Sequence, residues 1–295
     1  MQRNSKAAKA PEWVEGQELT SALAAPLRKG FLGGVATLQK QFGKFAKLAV
    51  INPTFNIVGA VSNFDFSAFE DGFVEGWDQT IKAVLVRSRN KELAKIGLRV
   101  AKADSGSRLQ GTVAEELALD YVATRGGVFV QKITGSVRAG VNIAVLEGID
   151  TGVGIPKMAR DIQDVIGLTE RDARAVIARG KALKAEGASD AQIAKAKKNL
   201  HKRFLRRRAR NIARTETISA RNNGQMQAWQ LAINEGKLDS DMKKVWIMAD
   251  GCSICTELAS LDPVPVNQPF DSPDVGFIMA PPAHPSCRCS LGLVE

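Results

Sequence analysis

The cysteines of this chain lie in two short segments, and their spacing predicts a metal site. The sequence has four cysteines in 295 residues. Cys252 and Cys255 form a Cys-x2-Cys turn, and a histidine opens the second segment, which contains His284, Cys287 and Cys289. Two turns that each carry soft ligands can close a tetrahedral zinc site, which typically takes four Cys or His ligands.

These five candidates exceed the four ligands of a closed zinc site, so one of them is spare. His284 and Cys287 have an easier spacing for ligation than the tight Cys-x-Cys pair of Cys287 and Cys289. We therefore expect Cys252 and Cys255 to bind the metal together with two of the three later residues. Two disulfides are the alternative. The chain starts with polar residues and no apolar signal segment, which favours a reducing cytoplasm and therefore metal ligation.

The chemistry expected of this zinc is structural. The sequence contains neither a His-Glu-x-x-His motif nor the His-x-Glu of zinc deaminases, and it has no Walker motif or Gly-x-Ser-x-Gly elbow. His201 and His284 are its only histidines, so few side chains suited to general acid–base catalysis are available. We predict no enzymatic activity; a toxin or nuclease would be the enzymatic alternative.

A strongly basic helix is the second prominent feature. No acidic residue occurs from Lys195 to Arg214, and the whole chain has a formal net charge of +10. Such a run is either a solvated face or a binding surface for an acidic protein or for DNA. The residues predicted to form this binding surface are Lys202, Arg203, Arg206, Arg207, Arg208 and Arg210.

One carboxylate falls on the apolar side of this helix. Leu205, Ala209 and Ile212 share a stripe at helical spacing, and Glu216 occupies the next position of that stripe. A half-buried carboxylate needs a cationic partner, and Arg214 or Arg221 could reach it if the packing brings either side chain round. We predict a structural ion pair between Arg214 and Glu216.

The helical signals elsewhere are uneven. Residues 1 to about 45 show weak periodicity and are interpreted as a flexible or partner-dependent arm. Between residues 66 and 84, mainly aromatic residues then recur every three or four positions and form an aromatic stripe, as in an amphipathic helix. This stripe either packs in the protein's own core or docks on another protein. Two further helices are predicted between 107 and 149, broken at Gly126 and Gly127. The apolar face of the first would consist of Val113, Leu117 and Tyr121, and that of the second of Ile133, Val137, Val141, Val145 and Leu146. The members of the aromatic stripe are Phe66, Phe69, Phe73, Trp77, Ile81 and Val84.

Capping signals and a change in amino-acid composition define the later elements. Thr169 and Ser189 are expected N-caps, the latter with Gln192 as the reciprocal partner. The segment 244–249 is a predicted strand. The sequence thus predicts a mainly α protein with a long basic amphipathic helix and a small α+β lobe stapled by zinc. Its expected segments are a partner-docking arm with amphipathic helices at 1–106, a helical region at 107–236, and the zinc lobe at 237–295. No membrane span is expected.

Three blocks of this sequence resemble the phage Mu F-like minor head protein family. The first runs from Lys132 to Ile162, and the second is the Arg-Thr-Glu helix from Arg208 to Glu216 with Ala220, Asn223 and Gly224. The third contains Trp246, Asp250, the first Cys pair and Leu258, followed by Pro-Pro-x-His-Pro-x-Cys-Arg-Cys at 281–289. The final motif is the most specific, and the resemblance covers about residues 110 to 295.

The resemblance implies a minor capsid protein that takes part in head morphogenesis of a tailed phage. Such a protein binds the portal, the major capsid or a scaffold protein during assembly in the host cytoplasm and resides inside the head of the virion. It would also contact packaged dsDNA if the basic helix binds phosphates. The alternative function is that of a zinc-stabilised, nonspecific DNA-binding protein.

Overall fold

A computed structural model describes residues 11–51, 59, 61, 65–98, 108–249 and 251–295. The chain is mainly helical, and a small α+β region follows the longest helix, which confirms the predicted fold class. The helices are α1 (Pro11–Ile51), α2 (Ser67–Lys95), α3 (Arg108–Asp150), α4 (Ile155–Gln163), α5 (Glu170–Ala185), α6 (Asp190–Asn234) and α7 (Ser253–Ser260). The strands are β1 (Lys243–Ile247), β2 (Val264–Pro265), β3 (Phe270–Ser272), β4 (Gly276–Ile278) and β5 (Ser290–Val294).

The chain divides into two compact units that are each assembled from separate stretches of sequence. Unit 1 comprises residues 1–25, 80–120 and 212–295, and unit 2 comprises 26–79 and 121–211. The helices α1, α2, α3 and α6 therefore contribute residues to both units. The three predicted segments are continuous stretches of the chain, so their boundaries differ from those of the two units. The three segments remain a prediction.

Much of the predicted N-terminal arm belongs to the core of unit 2, which corrects the sequence interpretation. The buried side chains of α1 in this unit recur at intervals of three or four residues. Phe31 makes edge-to-face contacts with Phe69 at 6.1 Å and Phe73 at 6.2 Å between ring centroids. Aromatic pairs of this kind add to the stabilisation from buried area. Residues 1–10 lie outside the described part. The buried α1 side chains are Leu27, Phe31, Val35, Leu38 and Phe42.

The aromatic stripe of α2 is internal, so the first of its two interpretations is the one observed. Phe69, Phe73 and Trp77, which belong to unit 2, are fully buried, and Ile81 and Val84, which belong to unit 1, are also buried. A side chain that is already buried cannot dock on another protein. Any contact with a partner must therefore use other surfaces.

The predicted break at Gly126 and Gly127 was wrong, because α3 continues through both glycines. A glycine inside a helix costs about 1 kcal/mol relative to alanine, which packing elsewhere along a long helix can offset. The apolar face before the break is also shifted. Ala118 and Val122 are buried, whereas Leu117 is exposed, and the side chain of Val113 lies outside those described.

The buried face after this point agrees better with the sequence. Ile133, Val137, Val141 and Val145 are buried as predicted, but Leu146 is 55% exposed. The first four lie three or four positions apart on one side of the helix, whereas Leu146 falls beside that face.

Both predicted helix caps are present in unit 2. The backbone N–H of Asp172 donates to the Thr169 hydroxyl at the start of α5. Before α6, the N–H of Ser189 donates to the Gln192 side chain, and the N–H of Gln192 donates back to the Ser189 hydroxyl. These bonds satisfy donors that the first turn of a helix leaves unpaired.

A nearly buried lysine ties α6 to the region of α4. The ammonium of Lys197 lies 2.6 Å from a carboxylate oxygen of Asp161 and 2.7 Å from one of Asp164. Asp161 also pairs with Lys157 at 2.7 Å. Burial disfavours the charge of Lys197, but the bonds from the two aspartates outweigh it, so its pKa is raised. This network fixes the position of α6 in unit 2.

In unit 1, the second half of α6 packs closely against α2. A Cβ on Gly224 would overlap the carbonyl oxygen of Leu85, so only glycine permits this approach. Ser88 donates from its hydroxyl to the carbonyl of Arg221 at 2.8 Å. The indole N–H of Trp229 donates to Glu92 at 3.1 Å. These contacts place α6 as the support for the small lobe that follows it.

The small lobe contains two antiparallel sheets. The three-stranded sheet has the order β2-β1-β5, and β3 pairs with β4 in the other. Strand β1 confirms the predicted strand within two residues, and its buried residues Lys244 and Trp246 alternate with more exposed ones. Trp246 contacts Phe270 edge to face at 5.6 Å. Within the residues that the structure describes, no helix has the length and apolar character needed to cross a bilayer.

We predict that replacing Lys197 with alanine destabilises the protein by about 2–3 kcal/mol, because two carboxylates would be left facing each other without their shared cation. The measurement is the free energy of unfolding by urea. Lys198→Ala is the matched control, since Lys198 is exposed and its loss should change stability by about 0.5 kcal/mol or less. Equal effects of the two substitutions would contradict the role assigned to Lys197.

Candidate metal centre

The first Cys pair is positioned by the start of helix α7. Cys252 is the N-cap residue of this helix, and its sulfur accepts a hydrogen bond from the N–H of Cys255 at 3.3 Å. Cys255 lies in the first turn and is buried. Cysteine binds metals as the thiolate, and the start of a helix is a position that favours a negatively charged ligand.

The second group is positioned by a tight turn. The N–H of Cys287 donates to the carbonyl of His284 at 3.1 Å, and Ser286 between them has a positive φ of 66°. Nδ1 of His284 lies 3.0 Å from the carbonyl oxygen of Pro285, an acceptor that favours the proton on Nδ1. The lone pair of Nε2 is then available to a metal.

The structure brings all five predicted ligands together. Nε2 of His284 lies 3.2 Å from the sulfur atoms of both Cys252 and Cys255. The sulfur atoms of Cys255 and Cys287 are 3.7 Å apart. Two triads result, Cys252–Cys255–His284 and Cys255–Cys287–Cys289, and the ligand atoms within each lie within 4.8 Å of one another. Both triads contain Cys255, so it is the centre of the cluster.

The donor set and its spacing fit a metal ion. Tetrahedral zinc with bonds of about 2.3 Å to sulfur and about 2.0 Å to nitrogen requires ligand separations of about 3.5–3.8 Å. The observed separations of 3.2–3.7 Å are close to this range. No described carboxylate belongs to either triad, and Asp250 lies outside the described residues. The cluster could hold a metal ion through sulfur and imidazole ligands.

The protonation of the thiols depends on their neighbours. Burial raises the pKa of Cys255, and a hydrogen bond to Cys289 raises the pKa of Cys287. The same bond from Cys287 lowers the pKa of Cys289 to about 5. The protein's own groups therefore favour a single thiolate, on Cys289, over several thiolates in the cluster. A cation would favour the thiolate form of its ligands, because buried negative charge is stable only beside positive charge.

Two residues of α6 that the sequence interpretation missed hold the second segment in place. The amide nitrogen of the fully buried Asn222 donates to the carbonyl of Ile218 in its own helix at 3.0 Å, and it also lies within hydrogen-bond distance of the carbonyls of Cys289 at 3.3 Å and Pro281 at 3.4 Å. The N–H of Ser286 donates to the hydroxyl of Thr215 at 3.1 Å. The signal available in the sequence was a polar residue, Asn222, in the middle of the apolar face of an amphipathic helix. The neighbouring Asn223, singled out in the sequence, bonds within its own helix to Ser219.

Glu216 is buried, with 1% of its surface exposed, on the predicted stripe of α6 with Ala209 and Ile212. A carboxylate in that position requires compensation. The pairing with Arg214 stays a prediction.

The basic residues of α6 differ in their surroundings. Lys202, Arg203, Arg206 and Arg210 are exposed, as a binding surface requires. Arg207 is also exposed, but its guanidinium lies 2.6 Å from the carboxylate of Asp172. These basic residues belong to unit 2, whereas the candidate metal ligands belong to unit 1.

Arg208 requires a correction, because it cannot belong to an external binding surface. Its side chain is buried, and its guanidinium donates to the carbonyl oxygens of Gly167 at 2.7 Å and Ile133 at 3.4 Å. The group also lies over the ring of Phe31. Burial lowers its pKa to about 10, which still leaves it charged at neutral pH. Arg208 is a structural residue of unit 2.

No family model matches this sequence, and no curated protein or solved structure shows significant similarity to it.

A buried lysine lies in the core beside the metal cluster. Lys244 points inward from β1, and its ammonium donates to the carbonyl of Val266 at 3.0 Å and lies over the ring of Phe270. Burial lowers the pKa of Lys244 to about 8. The charged form is thus less stable in the folded protein than in the unfolded chain, where the pKa of lysine is about 10.4.

We predict that the stability of unit 1 rises between pH 8 and pH 10. Below pH 8 the folded protein bears the full cost of the buried charge, and this cost disappears as pH passes through the folded pKa towards the unfolded one. Lys244→Met should remove the rise. The measurement is the urea midpoint from pH 7 to pH 10 for both proteins. Thiol titration affects both equally, so parallel pH profiles would contradict the prediction.

Proposed function

We propose that this chain is a structural minor head protein of a tailed phage, acting in head assembly with the portal, capsid or scaffold protein. The observation that carries this proposal is a direct contact between two sequence blocks that resemble the Mu F-like family. Thr215 and Asn222 of the Arg-Thr-Glu helix bond directly to the backbone of the Pro-Pro-x-His-Pro-x-Cys-Arg-Cys segment. The two most distinctive motifs thus form one structural unit, as expected if both serve the same purpose.

The ion proposed for the cluster is one structural zinc. The proposed shell is Cys252, Cys255, His284 and Cys287, because three short separations connect these four ligand atoms. Cys289 is assigned to a supporting position outside the shell. A closed shell of four protein ligands leaves no site for a reactive water, which supports a non-catalytic role.

The role of such a zinc follows from the size of the lobe. Its strands are only two to five residues long, and its core includes three of the four cysteines. Small domains with few buried apolar side chains commonly need a metal or a disulfide for stability. Zinc would supply that stabilisation by joining the start of α7 to the 284–287 turn.

We expect the purified protein to contain about one zinc ion per chain, as a single closed shell requires. The double variant Cys252→Ser/Cys255→Ser should lose the ion and become sensitive to proteolysis within residues 237–295. Cys289→Ser is the matched control and should keep its zinc. The measurements are metal content by mass spectrometry and limited trypsin digestion.

Two outcomes would contradict the ligand assignment. Metal retained by the double variant would show that the first Cys pair is not required. Zinc loss in Cys289→Ser, together with retention in Cys287→Ser, would place Cys289 in the shell in place of Cys287.

The assembly role predicts that the protein is present at low copy number in purified virions. Quantitative mass spectrometry of virions and of empty precursor heads is the measurement, with a nonstructural protein of the same infection as the control. A structural role requires the protein in one of the two particles, since assembly proteins must bind the head while it forms. Absence from both particles would refute the proposed function.

A further inference from the structure

The cations of α6 are sorted between the inside and the outside of unit 2. Facing inward, Lys197 bonds to two aspartates and Arg208 to two carbonyls. At the margin, Arg207 is paired with Asp172. Asp161, Asp164 and Asp172 are thus paired with the inward and marginal cations of the helix.

Five other cations form what we call the outer ridge. They follow one another at intervals of three or four residues and all are exposed. At 1.5 Å per residue the ridge extends about 22 Å, and at 100° per residue it lies on the side opposite Lys197. None of the five forms an ion pair with another described residue. The outer ridge consists of Lys195, Lys198, Lys202, Arg206 and Arg210.

The composition of this surface excludes an ordinary protein interface. Between positions 195 and 210, every exposed residue is lysine or arginine except Asn199. Protein interfaces have a core of aromatic and aliphatic side chains from which lysine is depleted. An array of charges without apolar anchors matches instead a ligand that presents regularly spaced negative charge.

The ridge also carries an energetic cost in the free protein. Like charges four residues apart on a helix repel each other, typically by a few tenths of a kcal/mol per pair. Here the repulsion is repeated along four turns and no described carboxylate relieves it. A bound polyanion would relieve all of these repulsions at once and would release its own counterions.

We infer that the outer ridge binds the phosphate backbone of duplex nucleic acid without reading its sequence. About 22 Å corresponds to roughly six base pairs of a duplex. Arginine and lysine on a helix surface suit phosphate contacts, whereas base stacking on a single strand requires aromatic platforms, which this surface does not offer. The inference rests on the charges of unit 2 and is independent of the proposed head function.

The experiment is fluorescence anisotropy of the full chain with two duplexes of unrelated sequence, at 50 and 200 mM salt. With five phosphate contacts and a slope near −0.9 per contact, affinity should fall roughly 500-fold over this range and equally for both duplexes. In Lys202→Glu/Arg206→Glu, binding should weaken at least tenfold at 50 mM salt. Three remaining contacts would reduce the salt effect to about 40-fold.

Lys44→Glu/Lys47→Glu is the matched control, because it makes the same change of net charge at exposed positions of α1 in the same unit. It should bind duplex within about threefold of the unaltered protein, since screening weakens distant charges. Circular dichroism confirms that both variants are folded.

Three results would overturn the inference. They are no salt-dependent duplex binding, an equal loss in both variants, and tighter binding of labelled polyglutamate than of duplex. The last would assign the ridge to an acidic protein. Duplex binding by a protein absent from phage particles would refute the head function and leave this inference intact.

Discussion

The buried amide of Asn222 is the contact on which the candidate metal centre depends. It donates to the carbonyls of Pro281 and Cys289, which lie at the two ends of the second ligand segment. Thr215 holds the middle of that segment through Ser286. Because both residues belong to one helix, their hydrogen bonds hold the turn that presents His284 and Cys287 against α6. The first Cys pair reaches the same place through α7, which packs on the strands of the lobe.

The ligand positions were predictable because each pair is a local structure. The Cys-x2-Cys turn and the His284–Cys287 turn each place their ligands within one turn of backbone, so their spacing in the sequence carries the geometry. The same holds for the caps at Thr169 and Ser189, where three residues determine the bond. Which four of the five ligands surround an ion depends on differences of a few tenths of an ångström, which spacing does not encode.

The errors arose where tertiary packing outweighs local preference. The apolar spacing of Leu27, Phe31 and Leu38 is interrupted by glycines, which hid a buried helix face behind a composition typical of loops. Likewise, Gly126 and Gly127 favour a break, but α3 continues through them. Arg208 is a different case, because it lies four residues from both Phe204 and Ile212, a helical spacing that indicates the buried face. The sequence interpretation grouped it with its neighbours by charge, whereas its guanidinium donates to the carbonyls of Gly167 and Ile133.

The close approach of the sulfur atoms has a redox consequence. Cys255 and Cys287 are 3.7 Å apart at sulfur, so a small movement would allow an oxidant to join them in a disulfide. The thiols that would coordinate an ion are therefore the same ones that would be consumed by oxidation, and the two states exclude each other.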